Sequence, residues 1–325
     1  MLRYVLLALM LFACSSPQPP GQKIQLLLDW KTQMEHAGFL VAQEKGLYTA
    51  RGLAVEILAG KGAPTTARLV GNGTYVLGVS SGSATVMART KGIPVVSVAM
   101  INQHSPVVVY SLKERDLTKP RDLVGKRIGV NIGGTKHREF QAFLRRVGIT
   151  EQSIQLMGMT ESNPGPLLAG QVDAMLGYTE DQPVTVELRG MAVNRISLAS
   201  HGIDLYSTNI IANETYIKKH PEVVRAFVQA SLEGWAHAID NPAEAVRIYT
   251  RAFPESDVTF NHANFTQLIP ILHSKDVEIS GLGSQTTSRW LHTQDILFDL
   301  NLIEKKVPIA DLYTNQFLDT AGSLD

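Results

Sequence analysis

Four short stretches of the chain group side chains able to hold a small molecule without covalent chemistry. Asp29-Trp30, with His36 shortly beyond, joins a hydrogen-bond acceptor for amino groups to a flat apolar face for stacking. Ser80-Ser81-Gly82-Ser83 offers hydroxyls and backbone N–H groups to a ligand oxygen. Gly133-Gly134-Thr135 stands where a strand-like run gives way to a helical one, so its backbone can approach an anion at the positive end of the helix. In Gly177-Tyr178-Thr179-Glu180-Asp181-Gln182-Pro183 two adjacent carboxylates flank an aromatic ring, and Glu180 is the principal candidate acceptor for amino or ring N–H groups.

Each has a plainer alternative. Trp30 would be core and Asp29 the start of a turn; His36 would cap the following helix; one serine would be an N-cap; the two glycines would make a tight turn; and one acid, Asp181, would face solvent. Gln103 and Tyr206 are weaker candidates to complete the pocket. Gly78-Val79-Ser80-Ser81-Gly82 lacks the glycine spacing of a nucleophile elbow, and Gly133-Gly134-Thr135 lacks the spacing and the Lys-Ser/Thr end of a P-loop. The nine histidines form no His-Glu-x-x-His or other ligand-spaced cluster, so neither a metal nor a catalytic residue is expected.

The N-terminus speaks to location. Arg3 precedes the apolar run Tyr4–Phe12, of signal-peptide length and too short for a permanent membrane span. Leu11-Phe12-Ala13-Cys14 resembles a bacterial lipobox, although Phe12 is bulkier than usual; an ordinary signal peptide or a free cysteine is the alternative. The polar, proline-rich Ser15–Gly21 then suits a spacer. The expectation is an exported lipoprotein on the periplasmic or extracellular face, anchored only through acyl chains on Cys14.

With the signal removed about 310 residues remain, enough for two lobes with real cores. Lys plus Arg and Asp plus Glu number 30 each, and losing Arg3 leaves 29 against 30, which gives no electrostatic case for a nucleic-acid partner. Cys14 is the one cysteine, so the folded part holds neither a disulfide nor a thiolate metal site.

From Lys23 onward β-like runs alternate with amphipathic helical ones, predicting an α/β fold with largely parallel sheets. Strands are expected at Ile24–Leu28, Ala54–Leu58, Tyr75–Val79, Val95–Met100 and within Asp122–Val130; helices at Phe39–Lys45, Thr65–Gly71, Ala84–Thr90 and Lys136–Val147. After Ile210 the chain is helix-rich, with Pro221 and Pro242 near helix starts.

An ordered set of segments resembles one family. Asp29-Trp30, His36-Ala37-Gly38-Phe39, Glu44-Lys45-Gly46-Leu47-Tyr48, Gly52-Leu53-Ala54-Val55, Ala88–Ser97, Asp122–Lys126, Gly170–Ala174 and His220–Phe227 follow periplasmic solute-binding proteins related to the thiamine-pyrimidine synthase of eukaryotes. The resemblance runs from residue 24 to about 250. It implies a periplasmic-binding-protein type II fold: two α/β lobes, joined by two crossovers, that close on a small molecule and deliver it to the permease of an ABC importer. The implied division is 1–13 signal peptide, 14–22 lipidated end and spacer, 23–107 with 207–325 as the first lobe, and 108–206 as the second. A monomer is expected.

The family's enzyme has a pyridoxal-phosphate-binding lysine and a sacrificial histidine in the loop that aligns with Gly78–Ala84, where this chain has Ser80 and Ala84. That enzyme's cysteine-rich, iron-associated motif is replaced here by Asp204-Leu205-Tyr206-Ser207-Thr208. The resemblance therefore points to a binder with no cofactor. Aromatic faces, carboxylates and no arginine in the four stretches suit a thiamine-precursor pyrimidine, with riboflavin as the close competitor.

Overall fold

The computed structural model describes residues 21–160 and 163–318; Cys14 and the signal segment lie outside the described residues. Ten strands form two five-stranded sheets. The first holds β1 (Gln22–Leu27), β2 (Leu53–Leu58), β3 (Leu77–Ser81), β4 (Val95–Met100) and β10 (Thr208–Asn213), in the order β2-β1-β3-β10-β4. The second holds β5 (Val107–Leu112), β6 (Arg127–Val130), β7 (Gln155–Gly158), β8 (Ala174–Tyr178) and β9 (Val193–Ser197), in the order β7-β6-β8-β5-β9. The expected two α/β lobes with two crossovers are what the chain forms. It leaves the first sheet after Met100, enters the second at Val107, and returns at Thr208.

Strands that open each unit run parallel, as right-handed crossovers through a helix require. The two that follow a lobe crossing run antiparallel: β5 between β8 and β9, and β10 between β3 and β4. The open edge of β4 is covered by the C-terminal segment, where Ser97 N–H donates to Leu312 and Thr314 N–H to Ser97, both at 2.9 Å. Pairing of that edge removes an aggregation hazard.

The first lobe's core is a helix-on-sheet layer. Residues 37–42 of the helix Ala37–Glu44 are all buried, and the helix packs against the long helix Pro221–Asp240. Glycine makes that crossing possible: a Cβ on Gly38 would lie 2.2 Å from the Trp235 ring, and one on Gly234 would lie 2.4 Å from the Gly38 carbonyl. Trp235 in turn meets Phe39 edge-on at 5.7 Å. The second lobe buries Leu123, Ile128, Val130, Phe140, Phe143 and Ile196 around its own sheet.

One strand is displaced from expectation. β3 begins at Leu77 and runs to Ser81, two residues later than Tyr75–Val79, and passes with no loop into the helix Gly82–Thr90. Register decides this, because Ser80 and Ser81 pair with Asn209 and Thr208 of β10.

Candidate ligand-binding site

The parallel strands β1 and β3 of one sheet, and β6 and β8 of the other, point their C-terminal ends at the space between the lobes, where open α/β sheets hold ligands. All four predicted stretches lie at those ends.

Asp29 and Trp30 follow β1, their carbonyls fixed by the N–H groups of Gly62 at 2.6 Å and Gly60 at 2.9 Å. Trp30 is 47% exposed, so it is not a core residue. His36 ends a single 3-10 turn, Met34–His36, and is fully buried. Its side chain does not cap the following helix. Instead the Gln33 N–H aims at Nδ1 (3.2 Å), placing the ring proton on Nε2, which donates to Asp29 Oδ1 at 2.8 Å. Burial, the largest influence on His36, disfavours its charged form; the hydrogen bond and charge of Asp29, with Glu35, more than offset it and raise the pKa. Glu35 itself is pushed up to about 7, chiefly by desolvation, with His36 opposing and Asp29 and Asp181 adding to the rise. The donor atoms of Asp29, Glu35 and His36 lie within 4.8 Å of one another, a grouping invisible to a search for spaced histidines.

From the other lobe come Lys136, Glu139 and the turn after β8. Lys136 Nζ sits 4.2 Å from the centre of the Tyr178 ring, a cation–π contact that covers one face of that ring. Burial lowers the Lys136 pKa against the pull of Asp181, Glu180 and Glu139. Glu180 is 4% exposed and its Oε2 has no hydrogen-bond partner among the described residues. Desolvation pushes its pKa up to about 8, opposed by its own backbone N–H and by Lys136 and aided by Glu35 and Asp181, which favours the protonated carboxyl. Asp181 is half-buried rather than solvated, and accepts from the Gln182 amide. The charges of Glu35 on one lobe and of Glu180 and Asp181 on the other act on each other, so the two sides of the cleft form one electrostatic unit.

Other predicted residues are committed elsewhere. Ser80 is fully buried in β3 and donates to the Ala63 carbonyl at 3.2 Å; Ser81 is the N-cap of the next helix, accepting from Ala84 N–H at 3.2 Å; and Gly82 N–H donates to Ser207. The expected donor loop is thus a strand-to-helix junction whose polar groups serve the fold. Tyr206 is likewise engaged within the fold. It is 1% exposed, packs edge-on against Trp290 at 5.1 Å, and its hydroxyl accepts from Thr286 N–H at 3.0 Å. Gln103, equally buried, donates to the Ser284 carbonyl at 2.8 Å. Both belong to the hinge, where Asp204 joins the crossovers by taking the Ser105 N–H (3.0 Å), His104 Nδ1 (2.7 Å) and Arg289 (2.6 Å).

Gly133 adopts φ +79°, a conformation glycine takes at no steric cost, and donates to His137 Nδ1 at 3.0 Å, while Gly134 donates to Asn131 at 3.1 Å. Gly134 occupies the N-cap of the helix Thr135–Arg146 with no side chain to cap it, so the amides of the first turn stay available to an acceptor. Sequence reasoning missed Glu35, Lys136, Glu139 and Asn264. The first two adjoin predicted residues in the chain; Glu139 and Asn264 carry no sequence signal, and are found through their partners, Ser105 Oγ donating to Glu139 (3.2 Å) and Asn264 Nδ2 to the Glu180 carbonyl (2.7 Å).

Residues 33–245 match the family model described as "NMT1/THI5 like". The chain belongs to that family. The chain is similar to the "Riboflavin-binding protein RibY" of Chloroflexus aurantiacus, 25% identical over 97% of this chain and 96% of that protein. The "Formylaminopyrimidine-binding protein" of Halalkalibacterium halodurans is 25% identical over 90% of each. A "4-amino-5-hydroxymethyl-2-methylpyrimidine phosphate synthase" of Legionella pneumophila is 28% identical over 91% and 92%. In fold the chain matches the periplasmic aliphatic sulphonate binding protein SsuA from Escherichia coli, with TM-score 0.70 and 16% identity, over 93% of this chain and 99% of that one.

Proposed function

We propose that this chain is the solute-binding subunit of an ABC importer, and that it captures a thiamine-precursor pyrimidine between its lobes. The buried Oε2 of Glu180, without a hydrogen-bond partner among the described residues, carries the reading. Held neutral by burial, the carboxyl offers a hydroxyl donor beside a carbonyl acceptor. An aminopyrimidine edge presents the complement, a ring nitrogen acceptor beside an amino donor. Two parallel hydrogen bonds then satisfy a group that otherwise costs about 1–3 kcal/mol to leave unpaired. Trp30 supplies an exposed aromatic face for the ring.

Charge argues against a sulfonate. Lys136, the cation beside Tyr178, is already engaged by that ring and by Asp181, Glu180 and Glu139, and so is not free to pair with one. The likeness to RibY favours riboflavin as a second ligand reading. An enzyme related to the synthases is disfavoured because Ser80 and Ala84 stand where the resemblance places a lysine and a histidine.

Calorimetry on the purified protein decides among these. Heat with 4-amino-5-hydroxymethyl-2-methylpyrimidine or its formylamino relative is expected; heat with riboflavin alone turns the assignment to flavin, and silence with all three sinks both. Ligand recovered unchanged after denaturation supports transport, and turnover supports an enzyme. Export and a lipid anchor on Cys14 complete the proposal: Cys14→Ser is expected to move the chain from the membrane to the soluble fraction.

A further inference from the structure

The helix Val258–Leu272 is anchored in the first lobe, with Phe265, Leu268 and Leu272 in that lobe's core. It packs on the Met34–His36 turn that carries His36, and also on the helix Gln182–Glu187 of the second lobe. At this seam Asn264 Nδ2 donates to the backbone carbonyl of Glu180 at 2.7 Å, a bond between residues 84 apart in sequence. Asn264 is 9% exposed, and its Oδ1 has no hydrogen-bond partner among the described residues. Among the described residues two buried polar atoms, Asn264 Oδ1 and Glu180 Oε2, are therefore unpaired on two residues joined by one side-chain-to-backbone hydrogen bond. Buried polar groups are as a rule satisfied, and each exception asks for an explanation.

We propose that Asn264 is the closure latch of the cleft: its amide N–H holds the Glu180 turn of the facing lobe, and its Oδ1 receives an N–H of the bound ligand. One side chain then couples capture to closure, because opening the lobes breaks the bond to Glu180 and withdraws the acceptor together. An N–H-bearing heterocycle fits this pair of atoms, whereas an anion would meet an oxygen it cannot bond. The ligand half rests on the reading of the cleft as a heterocycle site; the latch half does not.

Hydrogen exchange on the ligand-free full chain tests the latch. Asn264→Leu removes both functions at similar volume, and roughly tenfold faster exchange is expected in peptides spanning 178–187 and 258–268, with β9 unchanged. Asn264→Asp keeps an acceptor but loses the donor, and should open the same seam; it serves if the leucine variant folds poorly. Unchanged exchange in both variants overturns the latch. Calorimetry with 4-amino-5-hydroxymethyl-2-methylpyrimidine tests the ligand half, where Asn264→Leu should weaken binding at least tenfold; equal affinity overturns that half. If the wild type gives no heat while the variants still open, the latch stands and the pyrimidine assignment fails.

Discussion

Asp29 and His36 form one hydrogen-bonded unit: the buried imidazole donates from Nε2 to Asp29 Oδ1 at 2.8 Å while its Nδ1 takes the Gln33 N–H. His36 thereby orients the acid at the end of β1 and occupies one of its oxygens. His36→Phe should preserve volume but leave Asp29 unsupported, weakening ligand binding roughly tenfold and lowering stability by about 1–3 kcal/mol, the cost of stranding a buried polar partner. Calorimetry and urea melts measure the two losses separately.

Trp30→Ala should behave differently. Because the side chain is nearly half exposed, its removal is expected to leave the urea midpoint almost unchanged. If the indole stacks on a heterocycle, affinity falls by about 1–3 kcal/mol, as for bases stacked on aromatic side chains. An unaltered binding constant would assign Trp30 no part in the site.

Stability should fall as pH rises from about 5 to 8. Glu180 is held at about 8, and Glu35 and Glu139 at about 7, against an ordinary value of 4.5. Each binds its proton more tightly folded than unfolded, so its contribution is complete below about pH 4.5 and is lost as pH climbs through the folded value. His36, also raised, acts in the same direction. Asp173, drawn down to about 2 by Arg127, acts oppositely, its contribution vanishing only as pH falls below its ordinary 3.8. Urea melts at pH 5 and pH 8 are expected to differ by roughly 1–3 kcal/mol, and Glu180→Gln should flatten the slope. Melts that strengthen toward pH 8 would contradict the burial of these carboxyls.

Gly38→Ala should be among the costlier small substitutions. The added methyl would meet the Trp235 ring at 2.2 Å, between two helices that have no room to part without disturbing the core. A loss of about 1–3 kcal/mol or more is expected in thermal or urea melts, from overpacking alone. An unchanged midpoint would mean that the crossing of the two helices can relax.

Much of the fold was legible in the sequence, because backbone state follows local pattern. Period-two and helical apolar runs, glycines at helix ends and prolines at helix starts predicted most of the elements within a few residues. The resemblance carried by the order of the motifs supplied the two-lobed arrangement, and the stretches after β1, β6 and β8 follow strand ends. What local pattern could not carry was register and partnership. Ser80 and Ser81 look like a donor loop until pairing with β10 draws them into a strand, and Tyr206 and Gln103 look available until the segment from Ser284 to Thr286 takes their hydrogen bonds. The raised pKa of Glu180, the placement of Lys136 over Tyr178 and the reach of Asn264 were decided by tertiary structure alone. Desolvation and long-range hydrogen bonds exist only once two lobes, far apart along the chain, have closed off the same space from water.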